Sequence, residues 1–139
     1  MKIMAVDLGR VRTGLAISDQ TEFLATPIGT VTERDRDRLL VYVAAAVREH
    51  GAEKIVVGLP KNMDGSQGES AQNATAFAEQ LQQMTGLPVV LWDERLTTAS
   101  AIGFLNETNV RGKKRKAVVD AVAAVIILEN YLQRRRLQK

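Results

Sequence analysis

The 139-residue sequence predicts an α/β protein, a mixed five-stranded sheet with helices on both faces. Three observations predict it. Near the N-terminus, large apolar residues alternate with small or polar ones, the period-2 signature of paired strands. Further on, Ile55–Leu59 and Val89–Trp92 are apolar on both sides and rich in β-branched residues, as parallel strands covered on both faces are. Between and after those runs, apolar residues recur at helical spacing, so the order reads βββαβαβαα and helices must cover each side of the sheet.

Taken in order, Ile3 to Val6 is a short apolar run ending in Asp7-Leu8-Gly9, which suits a central strand. Thr13 to Asp19 reads as its hairpin partner, joined through Arg10-Val11-Arg12. Leu24 to Val31 makes a third strand, and its Pro27 and Gly29 assign it to an edge. Thr32 with Asp35 gives a capping signal for a helix through Leu39, Leu40, Val43, Ala44 and Val47, which Gly51 stops. His50, the single histidine, falls at that helix end as a surface residue. After the Ile55 strand, Ser66 to Glu69 has the form of a capping box, opening a helix with Ala71, Ala74, Ala78 and Leu81 on one side. Pro88 starts a further buried strand that closes in Asp93-Glu94-Arg95. Thr97 or Thr98 caps a short helix through Ile102 and Leu105. The last element, about Ala117 to Arg135, turns Ala121, Ala124, Val125, Leu128 and Leu132 inward.

Composition narrows the chemistry. One chain of this length makes a single domain, residues 1–139, with one core. The absence of cysteine excludes disulfides, thiolate zinc sites, iron–sulfur clusters and a cysteine nucleophile, and one histidine excludes any site needing two imidazoles. A metal here must be held by oxygen, which selects hard ions such as Mg²⁺ or Mn²⁺. Aromatic residues are only 4%, too few for a surface of stacked rings. An early Asp7 breaks any signal-peptide core, and no apolar stretch nears the roughly 20 residues that span a bilayer. The expectation is a cytoplasmic protein with no membrane partner.

The overall charge of +3 hides an asymmetry. From Arg111 onward nine basic residues face only Asp120 and Glu129, whereas the preceding 110 residues carry ten basic and fourteen acidic ones. A basic end on an acidic body suits a polyanion partner, although the same run also serves as a solvated loop and a frayed helix end.

Four carboxylates sit where folding, rather than local sequence, would gather them. Asp7 ends the first strand, Asp93 and Glu94 end the last, and Asp120 begins the final helix in apolar company. Two carboxylates about 4 Å apart repel by roughly 4 kcal/mol at an effective dielectric of 20, so a cluster tolerates itself mainly around a cation. Equally open are pairing of Asp7 with Arg10 or Arg12, pairing of Glu94 with Arg95, and a capping role for Asp120. The loop from Lys61 to Glu69, with Asn62, Gly65 and Gly68, follows the carboxyl end of a parallel strand, where α/β sheets place ligands.

Four blocks then stand out in order: Asp7 to Ala16, Val57 to Ser66, Asp93 to Thr98, and Lys116 to Leu128. Together they resemble the YqgF (RuvX) family over essentially the whole chain, with no departure at the acidic positions. The resemblance implies an RNase H-like fold and metal-dependent nuclease activity. The substrate it implies is the 5′ end of the small-subunit rRNA precursor (pre-16S rRNA), with Holliday-junction resolution as the alternative. It implies that Asp7 bridges two metal ions, Mg²⁺ or Mn²⁺, and that Glu94 and Asp120 each complete a ligand set. Asp93 would either orient Arg95 or be a ligand itself. Arg10, Asn62, Arg95, Lys113, Lys114, Arg115 and Lys116 would contact nucleic acid, an RNA precursor or branched DNA. Arg134, Arg135 and Arg136 read as a solvated tail. The active form would be a monomer or a homodimer, since a resolvase needs two sites facing one junction.

Two other classes compete. An ATPase of the actin and sugar-kinase type also opens on Asp-x-Gly but needs two lobes. A non-catalytic RNA-binding module would keep the fold without needing the acidic positions.

Overall fold

A computed structural model describes residues 1–60, 68–93 and 112–137, with backbone alone for 112–120. The chain runs β1 (Ile3–Asp7), β2 (Arg12–Ser18), β3 (Ala25–Thr32), α1 (Arg36–His50), β4 (Lys54–Leu59), α2 (Glu69–Thr85), β5 (Val89–Asp93) and α3 (Gly112–Leu137). Among the described residues the strands form one five-stranded sheet in the order β3-β2-β1-β4-β5. β1 to β3 pair antiparallel, whereas β1, β4 and β5 run parallel. The mixed sheet and its central first strand therefore match expectation, and so does the edge position of β3. Its register with β2 slips between Leu15 and Ala16, and Gly29 there takes φ 146°, a value that side chains rarely adopt. The short helix expected through Ile102 and Leu105 lies outside the described residues.

Local chemistry sets the helix ends. Asp35 itself, rather than Thr32, is the N-cap of α1, its carboxylate accepting from the amides of Asp37 and Arg38. Thr32 is spent as the last residue of β3. Gly51 closes α1 in the left-handed conformation, and His50 sits half-buried in the last turn. α2 starts later than the capping box implies. Gly68 is its N-cap without a side-chain hydrogen bond, and Glu69 supplies the negative charge that suits a first turn. α3 is longer than expected at its start, because Lys113 to Lys116 are good helix formers that charge alone made look like a loop. β5 is less covered than its apolar run suggests. It is an edge strand, and only Trp92 in it is buried.

Pleating divides the core in two. Met4 and Val6, with Leu15, Ile55, Val57 and Leu59, face α1 and α2. Ile3 and Ala5, with Ala16, Val56 and Trp92, face α3 through Ala124, Ile127, Leu128, Tyr131 and Leu132. α3 lies mainly across β1, β2 and β3. Phe77 and Leu81 of α2 are fully buried against the opposite face. Each large buried side chain contributes about 1.5–3 kcal/mol.

The C-terminal arginines are not a solvated tail. Arg135 Nε donates to Glu22 at 2.6 Å in a largely buried pair, and Arg136 donates to the Glu22 carbonyl at 3.1 Å. They dock on the turn joining β2 to β3. Asp19 organises that turn by accepting from the amides of Phe23 and Leu24 and from the Thr21 hydroxyl, which hold its carboxyl down at about 2. Glu22 takes φ 61° there. Its carboxyl is lowered, chiefly by the Arg135 hydrogen bond.

A depressed carboxylate stabilises the fold above its ordinary range and stops doing so as pH falls through its lowered value. Glu22→Gln is therefore expected to cost about 1 kcal/mol near neutrality. The difference in melting temperature from the parent should close as pH drops below 4.5. A gap that persists unchanged in acid would show that the ion pair is not the cause.

Candidate active site

Pleat parity places Asp7. Ile3 and Ala5 face α3, so Asp7, two residues on, points to the same side, half-buried at the carboxyl end of the central strand. Its partner across the antiparallel ladder is Gly14. On the parallel side Val6 pairs with Val57, which sets Gly58 level with Asp7, and Gly58 in turn pairs with Trp92. The row across this face is thus Gly14, Asp7, Gly58, Trp92. Both lateral neighbours of the carboxylate are thus glycines, each buried in its strand.

The same parity places Asp93, the last residue of β5. Val90 and Trp92 face α3, while Val89, Leu91 and hence Asp93 face α1 and α2. Asp93 therefore does not share the face of Asp7. Glu94 lies outside the described residues.

α3 supplies the opposite wall. Position 120 stands four residues before Ala124 and seven before Ile127, both packed on the sheet, and so continues the sheet-facing stripe. Lys54, at the start of β4, lies over the Tyr131 ring, so the helix runs antiparallel to β1 and β4. Arg135, near the helix end, pairs with Glu22 in the β2–β3 turn, at the end of the sheet opposite Asp7, so the N-terminal turns of α3 extend towards the Asp7 end. Asp120 is an interior helix residue, not the first one, because α3 begins at Gly112. A capping role is thereby excluded. Lys116 precedes it by one turn. The side chains of Asp120, Lys113, Lys114, Arg115 and Lys116, together with Asn62 and Arg95, lie outside the described residues.

The hairpin after Asp7 is tightly built. The Arg36 guanidinium donates to the Gly9 carbonyl at 3.1 Å, and the Glu33 amide donates to the Val11 carbonyl at 2.8 Å. A Cβ on Gly9 would fall 2.0 Å from the Arg12 carbonyl oxygen. Close backbone approach, rather than an unusual φ, thus demands glycine. Arg10 is exposed at the tip of this turn, beside the mouth of the site.

Among the described residues no three acidic or histidine side chains gather as metal ligands. The donor set nevertheless suits a hard cation: one half-buried carboxylate at a strand end, between two glycines, in a chain with no thiol. Gly14 and Gly58 are the residues sequence reasoning missed. Glycine inside a strand pattern, as in Thr13-Gly14-Leu15 and Val57-Gly58-Leu59, signals close approach of another group.

This architecture is that of the RuvC-type Holliday junction resolvases. Thermus thermophilus RuvC, solved with a Holliday junction substrate, superposes with a TM-score of 0.62 at 14% identity, covering 98% of this chain and 96% of that one. The fowlpox virus Holliday junction resolvase superposes with a TM-score of 0.57 at 17% identity, over 96% and 99% of the two chains. The chain belongs to the RuvX family, described as Holliday junction resolvase, whose model matches residues 1–134. A relative from Anaeromyxobacter, named "Putative pre-16S rRNA nuclease", is 45% identical over 97% of this chain and 98% of its own length. One of the same name from Listeria monocytogenes is 46% identical over 95% and 97%.

Because Gly9 has no room for a methyl group, Gly9→Ala is expected to lower stability by about 1–3 kcal/mol. Urea denaturation measures it. A midpoint equal to that of the parent would mean that the hairpin yields more easily than its geometry implies.

Proposed function

We propose that this protein is a divalent-metal-dependent nuclease that processes the 5′ end of the pre-16S rRNA in the cytoplasm. The observation that carries the reading is the placement of Asp7. It is a carboxylate at the end of the central strand, flanked by Gly14 and Gly58, on the face that α3 closes. The names of full-length relatives support RNA as the substrate.

In this reading Asp7 holds the metal from β1, with Glu94 and Asp120 as the further ligands. The parity of β5 supports Glu94 over Asp93, and the stripe of α3 supports Asp120. A pair of Mg²⁺ or Mn²⁺ ions bound there would make water nucleophilic near neutral pH and offset charge on the leaving oxygen. The chain's own share is positional. The strand backbone of β1 and the helix backbone of α3 would hold Asp7 and Asp120 in place. Arg10 at the hairpin tip, with Asn62, Arg95 and Lys113 to Lys116, would hold the phosphates on either side of the scissile bond and so set its register. Charge neutralisation by these cations would make binding weaken steeply with salt.

Incubation of end-labelled pre-16S RNA with Mg²⁺ or Mn²⁺ tests the reading. The parent is expected to release a defined 5′ fragment. Asp7→Asn should lower the rate on the order of 100-fold or more, the scale for losing a group that offsets transition-state charge. Symmetric nicking of a four-way DNA junction, with the RNA left intact, would support the resolvase reading that the family description favours. Binding without any cleavage, unchanged by Asp7→Asn, would support a non-catalytic module.

A side chain added beside Asp7 supplies a second test. Gly58→Val should weaken Mn²⁺ binding by about 10-fold or more while the sheet still forms, since valine suits a strand. Calorimetric titration of Mn²⁺ alongside far-ultraviolet circular dichroism reads both quantities. Unaltered Mn²⁺ affinity would place the ion elsewhere.

A further inference from the structure

The outer face of α1 is partly apolar. The helix buries Leu39, Leu40, Val43, Ala44, Ala46 and Val47, while Arg38, Val41, Tyr42, Ala45, Arg48 and Glu49 are exposed. Val41 is 61% exposed and Tyr42 57%. Met84 of α2, 50% exposed, lines with Val41 and Arg48 a cavity of about 490 Å³ between the two helices. Three large exposed apolar side chains thus share one side of the molecule. Among the described residues, neither the Arg38 guanidinium nor the Glu49 carboxylate makes an ion pair.

Arg38, Tyr42, Ala45 and Glu49 follow one another at intervals of four, three and four residues, the spacing of a seam by which two helices pair. The seam is self-complementary. When two copies of α1 lie antiparallel about a two-fold axis level with the Val43–Ala44 bond, Arg38 of each meets Glu49 of the other, and Tyr42 meets Ala45. A cation then opposes an anion and a large ring opposes a methyl group, each twice. Val41 and Arg48 border the seam on the side of the cavity, where the aliphatic stem of the arginine covers apolar surface. A parallel pairing would instead set Arg38 against Arg38 and Glu49 against Glu49, which like-charge repulsion disfavours. Nucleic acid fits less well, because exposed Asp37 and Glu49 offset Arg38 and Arg48 on this face.

We propose that the outer face of α1 pairs with the same face of a second copy, giving a weak, reversible antiparallel dimer. One helix from each copy makes an interface at the small end of the specific range. The pairing does not depend on the nuclease reading above, but it fixes how two such sites would be arranged. α1 and α2 cover one face of the sheet, and Asp7 lies on the other, which α3 covers. Pairing through α1 therefore leaves the two Asp7 faces outermost, directed away from each other. One four-way junction would not reach both, so the dimer would offer two separate sites to separate strands.

Sedimentation velocity over a dilution series, from micromolar to millimolar protein, tests the pairing with the full-length chain and two charge reversals, Arg38→Glu and Glu49→Arg. Each should keep the helix, because an acid near its start and a base near its end suit the dipole, and circular dichroism checks this. Each converts two attractions into two repulsions and should weaken self-association about 10-fold or more. An equimolar mixture of the two variants should associate as well as the parent, because unlike charges then face each other at both ends of the seam. Mere loss of folding would not produce that recovery. A parent that stays monomeric throughout overturns the proposal and leaves the face to a different protein. Reversals that leave self-association unchanged, or variants that stay apart when mixed, also overturn it and place any dimer on another surface. Loss of RNA affinity in Arg38→Glu, with self-association unmoved, overturns it in favour of a nucleic-acid surface. RNA cleavage by the parent, measured alongside, decides the nuclease reading separately.

Discussion

The alternation of β1 is the constraint on which the rest depends. Five residues, Ile3 to Asp7, form the central strand, with β2 on one side and β4 on the other. Even positions are committed to the α1–α2 core and odd positions to the α3 core, so Asp7 has no choice of face. A slip of one residue would drive the carboxylate into the packing of Leu39 and Phe77 and would expose Met4 and Val6 to the wrong layer. Burying an unpaired carboxylate in such surroundings costs several kcal/mol. Fold and site are therefore set by a single register.

A second consequence concerns sharing of labour along α3. Its middle, from Ala121 to Leu132, anchors the helix on β1, β2 and β3. Its first turns extend towards the Asp7 end of the sheet, and its last turn grips the opposite end through Arg135 and Glu22. The helix is thus a strut clamped in the middle and at one end. Tertiary packing rather than amphipathic strength holds it, which is how a helix with eight consecutive residues of basic and small apolar type at its start can persist.

Much of this was legible in the sequence. The strand order, the two-faced core, the edge character of β3 and the Gly51 stop follow from periodicity and from proline and glycine placement. The start of α3 was not, because Lys113 to Lys116 satisfy both a loop and a helix by charge, and only the intrinsic helix preference of Lys and Arg separates the two. The docking of Arg134 to Arg136 was hidden for a different reason. Their partners, Glu22, Phe23, Trp92 and Tyr131, are mostly distant in sequence, and no local pattern couples an acidic turn residue to a helix 113 positions later. At the site, the family resemblance singled out Asp7, whereas its flanking glycines became meaningful only once β2 and β4 were paired beside it. Asp93 and Glu94 are adjacent in sequence and chemically alike, and only the pairing of β5 shows that Asp93 faces away from Asp7.

The irregular outer strand has one more effect, on how copies of the molecule meet. β3 forms an outer margin of the sheet, where unpaired amides and carbonyls invite a neighbour to add its own strand. Pro27 removes one of those amides, and the slipped register around Gly29 bends the margin away from a flat ladder. A second molecule approaching along that side meets an interrupted template, so crowded nascent chains are steered away from fusing into continuous cross-strand aggregates there.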